Sequence, residues 1–587
     1  MIFGKQINRY YLKYAHMLIF GIIALVAVDY FSLKIPELYR IIVNALNGKV
    51  EYFDLNYLLD EICRPMLIII LVMVTGRFLW RVCFFGTGIK IETDLRRRMF
   101  DNSKNLSQQY YQVNKVGNLM SLFINDLETV QDCFGSGILM LCDAAFLGVL
   151  SISKMAKMHG ILTLFSIIPL AFLLVIGLIV GKKMSESWDK RQESFSRLSD
   201  FSQESFSGIA VIKAFVKETK ELMAFKKVNE ENEQTNIEYT KISTLLRIFV
   251  TLFVESVICV ILGYGGYLVY NKIFDAGQLV EFIGYFSSAI WPVMAISELI
   301  DMQSRGKASL NRISSLLTSK PDVVDKPGVK ELENVKGDIE FKHLSFKYPD
   351  GEINALKDVS FKINAGENVG IIGKTGSGKT TVVDLILRTY NVPDGTLFID
   401  GKDVNELSIN SVRKNAAYVP QDNFLFSDTV SNNISFASDV KNPKLIAEAA
   451  ENAAVADNIN EFTDKYETIL GERGVTVSGG QKQRISIARA LMKDAPILIM
   501  DDSLSAVDTD TEKTLLDNFA ALRKNKTTIL IAHRISTIEK MDKIIFIDDG
   551  HVGAVGTHED LINTCPEYAK MVKLQKLEEE KGGNANA

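Results

Sequence analysis

The chain is poor in cysteine, with six in 587 residues. Six thiols at irregular spacing in this length form no disulfide framework. Cys83, Cys133, Cys142 and Cys259 lie in or beside apolar runs, where a thiol acts as a small packing group. Charge of either sign is not in large excess: the net charge is −5. The basic surplus that would point to a nucleic-acid partner is therefore missing. The opening stretch from Met1 to Tyr14 carries basic residues ahead of an apolar run, but no small-residue cleavage site follows. That pattern predicts a retained first membrane segment and not a signal peptide.

What the chain has is apolar length. Hydrophobic residues make up 47% of it, concentrated in the first half. Six stretches reach the length of about 20 residues that a bilayer span needs. They run over 16–36, 65–88, 135–155, 160–181, 246–270 and 277–300. The third and fourth are separated by a few residues around His159, which predicts a tight hairpin. The connections after the second and fourth are long, helical in pattern and basic, with Arg96, Arg97, Arg98, Lys182, Lys183, Lys213, Lys217, Lys220, Lys226 and Lys227. The loop after the first span is acidic, with Glu51, Asp54, Asp60 and Glu61. The Lys/Arg bias places both long connections and both termini in the cytoplasm. With no Arg/Ser-rich leader, a bacterial plasma membrane is the expected location.

Helices that continue past a bilayer need something to touch. The turn regions Ser107–Gly117 and Gly208–Thr219 are therefore candidates for contact with the second half of the chain. Asp29, Arg77, Asp143, Glu255 and Glu298 lie inside spans, where ionisable groups are costly. Two readings stand: they line a cavity that accepts cationic or amphipathic compounds, with Glu298 the best candidate, or they hydrogen-bond between helices.

Residues 318–337 hold Pro321, Pro327 and Gly328 and have no apolar period, so they read as a linker. Beyond it, Asp338–Phe341 and Leu344–Tyr348 alternate like strands. Then Gly373, Lys374, Thr375, Gly376, Ser377, Gly378, Lys379 and Thr380 spell the phosphate-binding loop G-x-x-x-x-G-K-[ST]. A buried strand from Asn368 precedes it, and a helix from Thr381 follows. The glycines let backbone N–H groups converge on an anion, and the helix N-terminus adds favourable potential. Lys379 sets a charge on the β- and γ-phosphates, and Thr380 offers a hydroxyl to Mg²⁺. Tyr348, upstream, either stacks on a purine base or packs as an ordinary strand tyrosine.

Downstream come Ala417-Tyr-Val-Pro-Gln421, Val477-Ser-Gly-Gly-Gln481, Ile497-Leu-Ile-Met-Asp501-Asp502, Ser505-Ala-Val-Asp508 and Leu530-Ile-Ala-His533. This set resembles the ATPase domain of an ABC transporter, and with the spans in front nearly the whole chain resembles one half of a multidrug-type ABC exporter. The resemblance implies an all-α six-helix transmembrane domain of the type I or type IV ABC exporter fold over 1–317, a linker over 318–337, an α/β P-loop NTPase domain over 338–575 and a polar tail over 576–587. It implies ATP and Mg²⁺ as cofactors. Gln421 would reach Mg²⁺ and the γ-phosphate, Asp501 would hold Mg²⁺ through water, and His533 would contact the γ-phosphate. The segment Gly471-Glu-Arg-Gly474 resembles the one that touches the coupling loops. Ser478, Gly479, Gly480 and Gln481 would bind the phosphate of an ATP held by a second domain, because two such domains sandwich two ATP molecules head to tail. A dimer follows from the resemblance.

One position departs from the family pattern. Glu usually follows the strand-end Asp as the base for the attacking water, and here that residue is Asp502. Its carboxylate sits about 1.5 Å further back. A displacement near 1 Å can cost on the order of 10²-fold in rate. The signature is intact apart from Val477, where Leu is common. This combination resembles the impaired half of a heterodimer whose partner chain carries the intact Glu. His533, which impaired halves sometimes lose, is retained. The expected role is export of hydrophobic or amphipathic compounds, with membrane lipid around the spans. A homodimeric exporter or lipid flippase, and a regulatory nucleotide-binding subunit without turnover, are the other readings. The six spans exclude a soluble DNA-repair ATPase, and the fusion of both parts in one chain disfavours an importer.

Overall fold

The computed structural model describes residues 8–49, 54–438, 440–471, 474 and 476–584; the side chains of 8, 170, 173–182, 185, 297 and 578–584 are not included. Of the sequence features above, the first seven residues, Glu51, Glu472 and Arg473 and the last three residues of the tail lie outside the described residues, as do the side chains of Lys182 and of 170 and 173–181 in the fourth span.

The chain divides into two compact units: Met1–Lys104 with Gly117–Ser319, and Asn105–Val116 with Lys320–Ala587. The first is all helix. Its principal helices are α1 (Ala15–Ser32), α2 (Ile35–Leu46), α3 (Arg64–Ser103), α4 (Ile138–Met158), α5 (Gly160–Ser207), α6 (Glu218–Tyr270) and α7 (Ala276–Thr318). Among the described residues, five helical stretches are long and apolar enough to cross a membrane: Ala15–Leu46, Leu55–Ser103, Val116–Met158, Glu218–Tyr270 and Ala276–Thr318. The remaining apolar segment begins at Gly160 in α5. His159 breaks α4 from α5 with extended backbone, and its Nδ1 accepts from the N–H of Leu162, which caps the new helix.

The helices outrun the apolar runs that announce them. α5 has 48 residues and α6 has 53. They lie side by side, and their polar stretches are stitched by residues that a hydropathy profile ignores. Trp188 meets Tyr239 edge-on at 5.3 Å, and the Arg191 guanidinium covers both rings at 4.9 and 5.2 Å. Arg197 pairs with Glu231 at 2.9 Å. Such contacts hold two amphipathic helices together where no membrane or core does it for them. The ionisable residues within spans separate into two groups. Trp291 Nε1 donates to Asp143 at 2.7 Å across helices, and Asp29 is buried, whereas Arg77, Glu255 and Glu298 are exposed. Interhelical bonding therefore describes Asp143. Cys83 and Cys133 are buried packing residues, and Cys259 is exposed on α6.

The second unit is α/β. Strands β1 (Ile339–Lys347), β2 (Asn354–Ile363), β4 (Leu397–Ile399) and β5 (Lys402–Asp403) form an antiparallel sheet in the order β2-β1-β4-β5. Strands β3 (Asn368–Ile372), β6 (Ala416–Val419), β7 (Ile497–Asp501), β8 (Thr527–Ile531), β9 (Lys543–Asp548) and β10 (His551–Gly556) form a six-stranded sheet in the order β10-β9-β3-β8-β7-β6. Five of these run parallel, and β10 closes the edge antiparallel to β9. β7 and β8 are buried at every position. That is the signature of a parallel sheet covered on both faces. The faces divide by strand alternation. Leu498, Met500 and Leu530 enter one apolar cluster, while Ile497, Ile499, Ile529 and Ile531 enter the other. The order β3-β8-β7-β6 matters most for function, because it places four consecutive C-terminal strand ends along one edge, where ligands bind in open α/β sheets.

Helix Gln108–Val113 belongs to this second unit. The Tyr390 hydroxyl donates to Gln112 Oε1 at 2.7 Å, and the Ser107 hydroxyl donates to Asp322 at 3.0 Å. The other turn region, around Gly208–Thr219, is part of the first unit and exposes Val211, Phe215 and Val216.

Candidate functional site

The loop Gly373–Thr380 leaves the C-terminal end of β3 and enters α8 (Lys379–Ile386). Its glycines are dictated by space. A Cβ on Gly373 would stand 2.0 Å from the carbonyl oxygen of Ile547, and Gly378 adopts φ +99° with the carbonyl of Ala355 2.6 Å from where a Cβ would be. Lys379 is buried and folds over the loop: its ammonium donates to the carbonyls of Gly373 at 3.0 Å and Lys374 at 2.8 Å. Two of its three protons are thereby used, and the third is free for an anion. Burial pulls its pKa down, opposed by the charges of Asp501 and Asp502. Lys374 and Thr375 are exposed, and Lys374 pairs with Asp548 at 3.2 Å. Ser377 is buried, and its hydroxyl has no partner among the described residues.

Asp501, the last residue of β7, sits in register with Ile531 of β8, which in turn pairs with Ile371 of β3. Its carboxyl is buried. One oxygen is bonded by the Thr380 hydroxyl, and Oδ2 has no partner among the described residues. Burial raises its pKa first, the Thr380 hydrogen bond and the charges of Lys379 and His533 lower it, and Asp502 adds to the rise. An orphaned buried carboxylate oxygen beside a threonine hydroxyl and a phosphate loop is a donor set of hard oxygens, which suits Mg²⁺ with water completing its shell. The residues therefore fit the metal.

Asp502 has φ +46°, a left-handed conformation that a short polar residue tolerates. Its N–H donates to the carbonyl of Ile531 at 3.0 Å. Gln421, exposed just beyond β6, brings its Nε2 to 3.5 Å from the Asp502 carboxylate. His533 lies just past the end of β8. Asp502, Ser505, His533, Arg534 and Thr537 line a cavity of about 260 Å³. Gln421, Asp501, Asp502, His533 and the phosphate loop thus gather along one sheet edge, as the strand order requires.

Tyr348 is half-buried one residue past β1. Its hydroxyl is bonded to Thr381 Oγ1 at 2.9 Å and donates to Asp384 at 3.4 Å, and its ring meets Phe346 and Tyr390 edge-on, each at 5.1 Å. Thr381 is itself buried in α8. Packing therefore already accounts for this tyrosine, whose pKa burial pushes up to about 12.

Ser478 caps α9 (Gly479–Met492). Its hydroxyl accepts from the N–H of Gln481 at 3.3 Å, and its own N–H donates to Gln481 Oε1 at 3.0 Å, a reciprocal capping box. Among the described residues, no hydrogen bond links Ser478, Gly479, Gly480 or Gln481 to the phosphate loop of the same chain. Instead the helix is tied to the segment after β7. Gln483 donates to the Ser505 hydroxyl at 3.3 Å and accepts from the N–H of Ala506 at 3.1 Å. A Cβ on Gly480 would lie 2.9 Å from the carbonyl oxygen of Ala506. Gly480→Ala should therefore displace Ser505–Asp508 and lower ATP turnover of the assembled transporter by about tenfold, with ATP binding to this chain unchanged; steady-state ATPase assays and nucleotide titration read the two effects separately.

Sequence reasoning missed the residues that hold these loops in place. Gln483 and Gln575 use both ends of their amides, and buried Glu512 of α10 (Thr509–Leu522) bonds the Thr537 hydroxyl and pairs with Arg534 at 3.4 Å. Each acts across a sequence gap with no local pattern. Only the proximity of Gln483 to the signature could have marked it.

A nucleotide-phosphate loop at the central strand of a mixed sheet, fused to long apolar helices, defines a membrane transport ATPase. Comparison with known proteins carries this to the family. The ABC transporter profile matches residues 356–505, and the ABC transporter transmembrane region matches residues 18–293. The chain is 36% identical over 586 residues to the probable multidrug resistance ABC transporter ATP-binding/permease protein YheI of Bacillus subtilis (strain 168), covering 100% of this chain and 99% of that one. It is 32% identical over 520 residues to the ATP-dependent lipid A-core flippase of Syntrophus aciditrophicus (strain SB), covering 88% and 86%. A bacterial Atm1-family ABC exporter solved with ATP bound shares the fold, with a TM-score of 0.77, 24% identity, and coverage of 97% and 98%. The chain belongs to the ABC transporters, with the exporter arrangement of a helical transmembrane domain followed by an ATP-binding ATPase domain. It is a multi-pass membrane protein whose ATPase domain is cytoplasmic and drives transport.

Proposed function

We propose that the chain is one half of a heterodimeric exporter of hydrophobic or amphipathic compounds. It binds ATP at a slowly hydrolysing site of its own and lends Ser478–Gln481 to the catalytic site of a partner chain that carries the intact Glu. The observation that carries this reading is Asp502 in the position of the water-activating base, next to an undamaged signature. Lys379 and the loop N–H groups hold the phosphates. Thr380 and Asp501 would hold Mg²⁺, which would supply charge neutralisation at the phosphates. Gln421 reports the γ-phosphate end of the site to the membrane helices, and His533 contacts that phosphate. Asp502 accepts the water proton from too far back for speed. Tyr348, anchored through its hydroxyl, is the residue that stacks on the purine base. The domain limits 1–317, 318–337 and 338–575 fit this division of labour.

Purification of the chain alone and with a second half-transporter from the same membrane tests the pairing. Brisk ATP hydrolysis by the chain alone would sink it. Asp502→Glu restores the missing methylene, so single-turnover hydrolysis at this chain's own loop should rise by up to about 10²-fold. Steady-state turnover of the pair should change little, because the partner's site sets it. A large steady-state gain would instead show that Asp502 limits a symmetric pair. The similarity to a lipid A-core flippase favours lipid as the runner-up substrate class. Vesicle transport assays with a lipid reporter and with a hydrophobic dye separate the two.

A further inference from the structure

His533 sits in a short segment with a backbone problem. β8 ends its ladder when the N–H of Ala532 donates to the carbonyl of Ile371 at 3.2 Å. Two residues later the four-residue helix α11 (Ile535–Ile538) begins. Its N-cap residue, Arg534, has extended backbone and supplies no capping hydrogen bond. The peptide groups on either side of Arg534 therefore need partners from elsewhere in the fold.

One side chain satisfies both. Gln575 Nε2 donates to the carbonyl of His533 at 2.7 Å, and Gln575 Oε1 accepts from the N–H of Ile535 at 2.8 Å. Gln575 stands on α12 (Pro566–Asn584), 42 residues away in sequence. That helix is a firm mount. Tyr568 is fully buried and Val572 nearly so, and with Gln575 they follow the spacing of a single helix face. The Tyr568 hydroxyl is bonded to His558 Nδ1 at 2.8 Å, and its ring meets Phe546 edge-on at 6.0 Å. On its other flank α11 is held by Thr537 and Arg534 on Glu512. The two clamps leave the His533 backbone little freedom, and so fix the Cα–Cβ direction from which the imidazole extends.

We infer that Gln575 is a positioning residue for His533: by closing both peptide groups that flank Arg534, the C-terminal helix α12 fixes the histidine at the γ-phosphate end of the site. This rests on the γ-phosphate role proposed above for His533. Both ends of the Gln575 amide are committed to backbone groups and Gln575 does not line the cavity beside Asp502 and His533, so its effect is confined to ligands that carry a γ-phosphate.

The test uses the full-length chain in lipid nanodiscs, titrated with Mg·ATP and with Mg·ADP. Gln575→Leu should weaken Mg·ATP by about tenfold, the scale of one hydrogen bond to a charged group, and leave Mg·ADP unchanged. His533→Ala should give the same selective loss, and the double variant no further loss, since both remove one contact. Gln575→Glu keeps the length and the acceptor for Ile535 but loses the donor, and should fall between wild type and Gln575→Leu; it serves if the leucine variant does not fold. Equal weakening of ATP and ADP would make Gln575 a packing residue and overturn the inference, as would no change in either. If His533→Ala leaves Mg·ATP affinity untouched, the γ-phosphate reading fails first and takes the inference with it. That outcome is recognisable because it does not involve Gln575.

Discussion

Ser478→Arg is expected to abolish ATP turnover and transport by the assembled exporter while this chain still binds ATP at its own loop. The substitution does two separable things. It removes the hydroxyl that caps α9, a loss of about 1 kcal/mol to the helix. It also sets a long guanidinium where the helix N-terminus must close on the partner's bound phosphate. Ser478→Ala makes only the first change and should retain most turnover. Single-turnover ATPase assays on both variants, with nucleotide binding measured alongside, discriminate them. If the arginine variant hydrolyses ATP at a wild-type rate, the signature of this chain serves no catalytic site.

Lys379→Ala carries the second large effect. The ammonium is buried, shared by the carbonyls of Gly373 and Lys374, and has one proton left for a phosphate. Its removal deletes a desolvated charge contact of the kind worth about 3–5 kcal/mol, so ATP affinity should fall on the order of 10²–10⁴-fold. The loop also loses its internal tie. Thermal unfolding in the absence of nucleotide should therefore shift downward slightly, while the stabilisation that ATP confers disappears. Retention of that stabilisation would mean that the loop amides alone hold the phosphates.

The candidate site was legible in the sequence to the extent that its parts are local. Gly373–Thr380 is a contiguous motif whose glycines answer to contacts in the immediate turn. Asp501 and His533 announce themselves as polar residues at the ends of apolar strands. What the sequence could not give is the edge that unites them. The order β3-β8-β7-β6 arises from pairings such as Ile371 with Ile531, and a strand's pattern says which face is buried but not which neighbour it takes. The supports were hidden for a related reason. Gln575 and Glu512 each hold two partners across long sequence gaps, and an isolated polar residue on a helix looks like any solvated one. Tyr348 shows the limit from the other side: its hydroxyl is committed to Thr381 and Asp384, which no reading of β1 alone discloses. In the membrane half, hydropathy located the apolar runs, and the helical pattern of the long connections with the turn at Gly208–Thr219 marked where α5 and α6 meet, at Ser207 and Glu218; the side chains that hold their outer turns, Arg191, Trp188 and Tyr239, left no pattern to read.

Those paired helices have a mechanical consequence. At 1.5 Å of rise per residue, the 53 residues of α6 make a shaft about 80 Å long, so a tilt of about 5° at one end sweeps the other through about 7 Å. Cross-braced by its neighbour, such a shaft resists bending, and a small angular change near one tip reaches the opposite tip as a stroke many times larger.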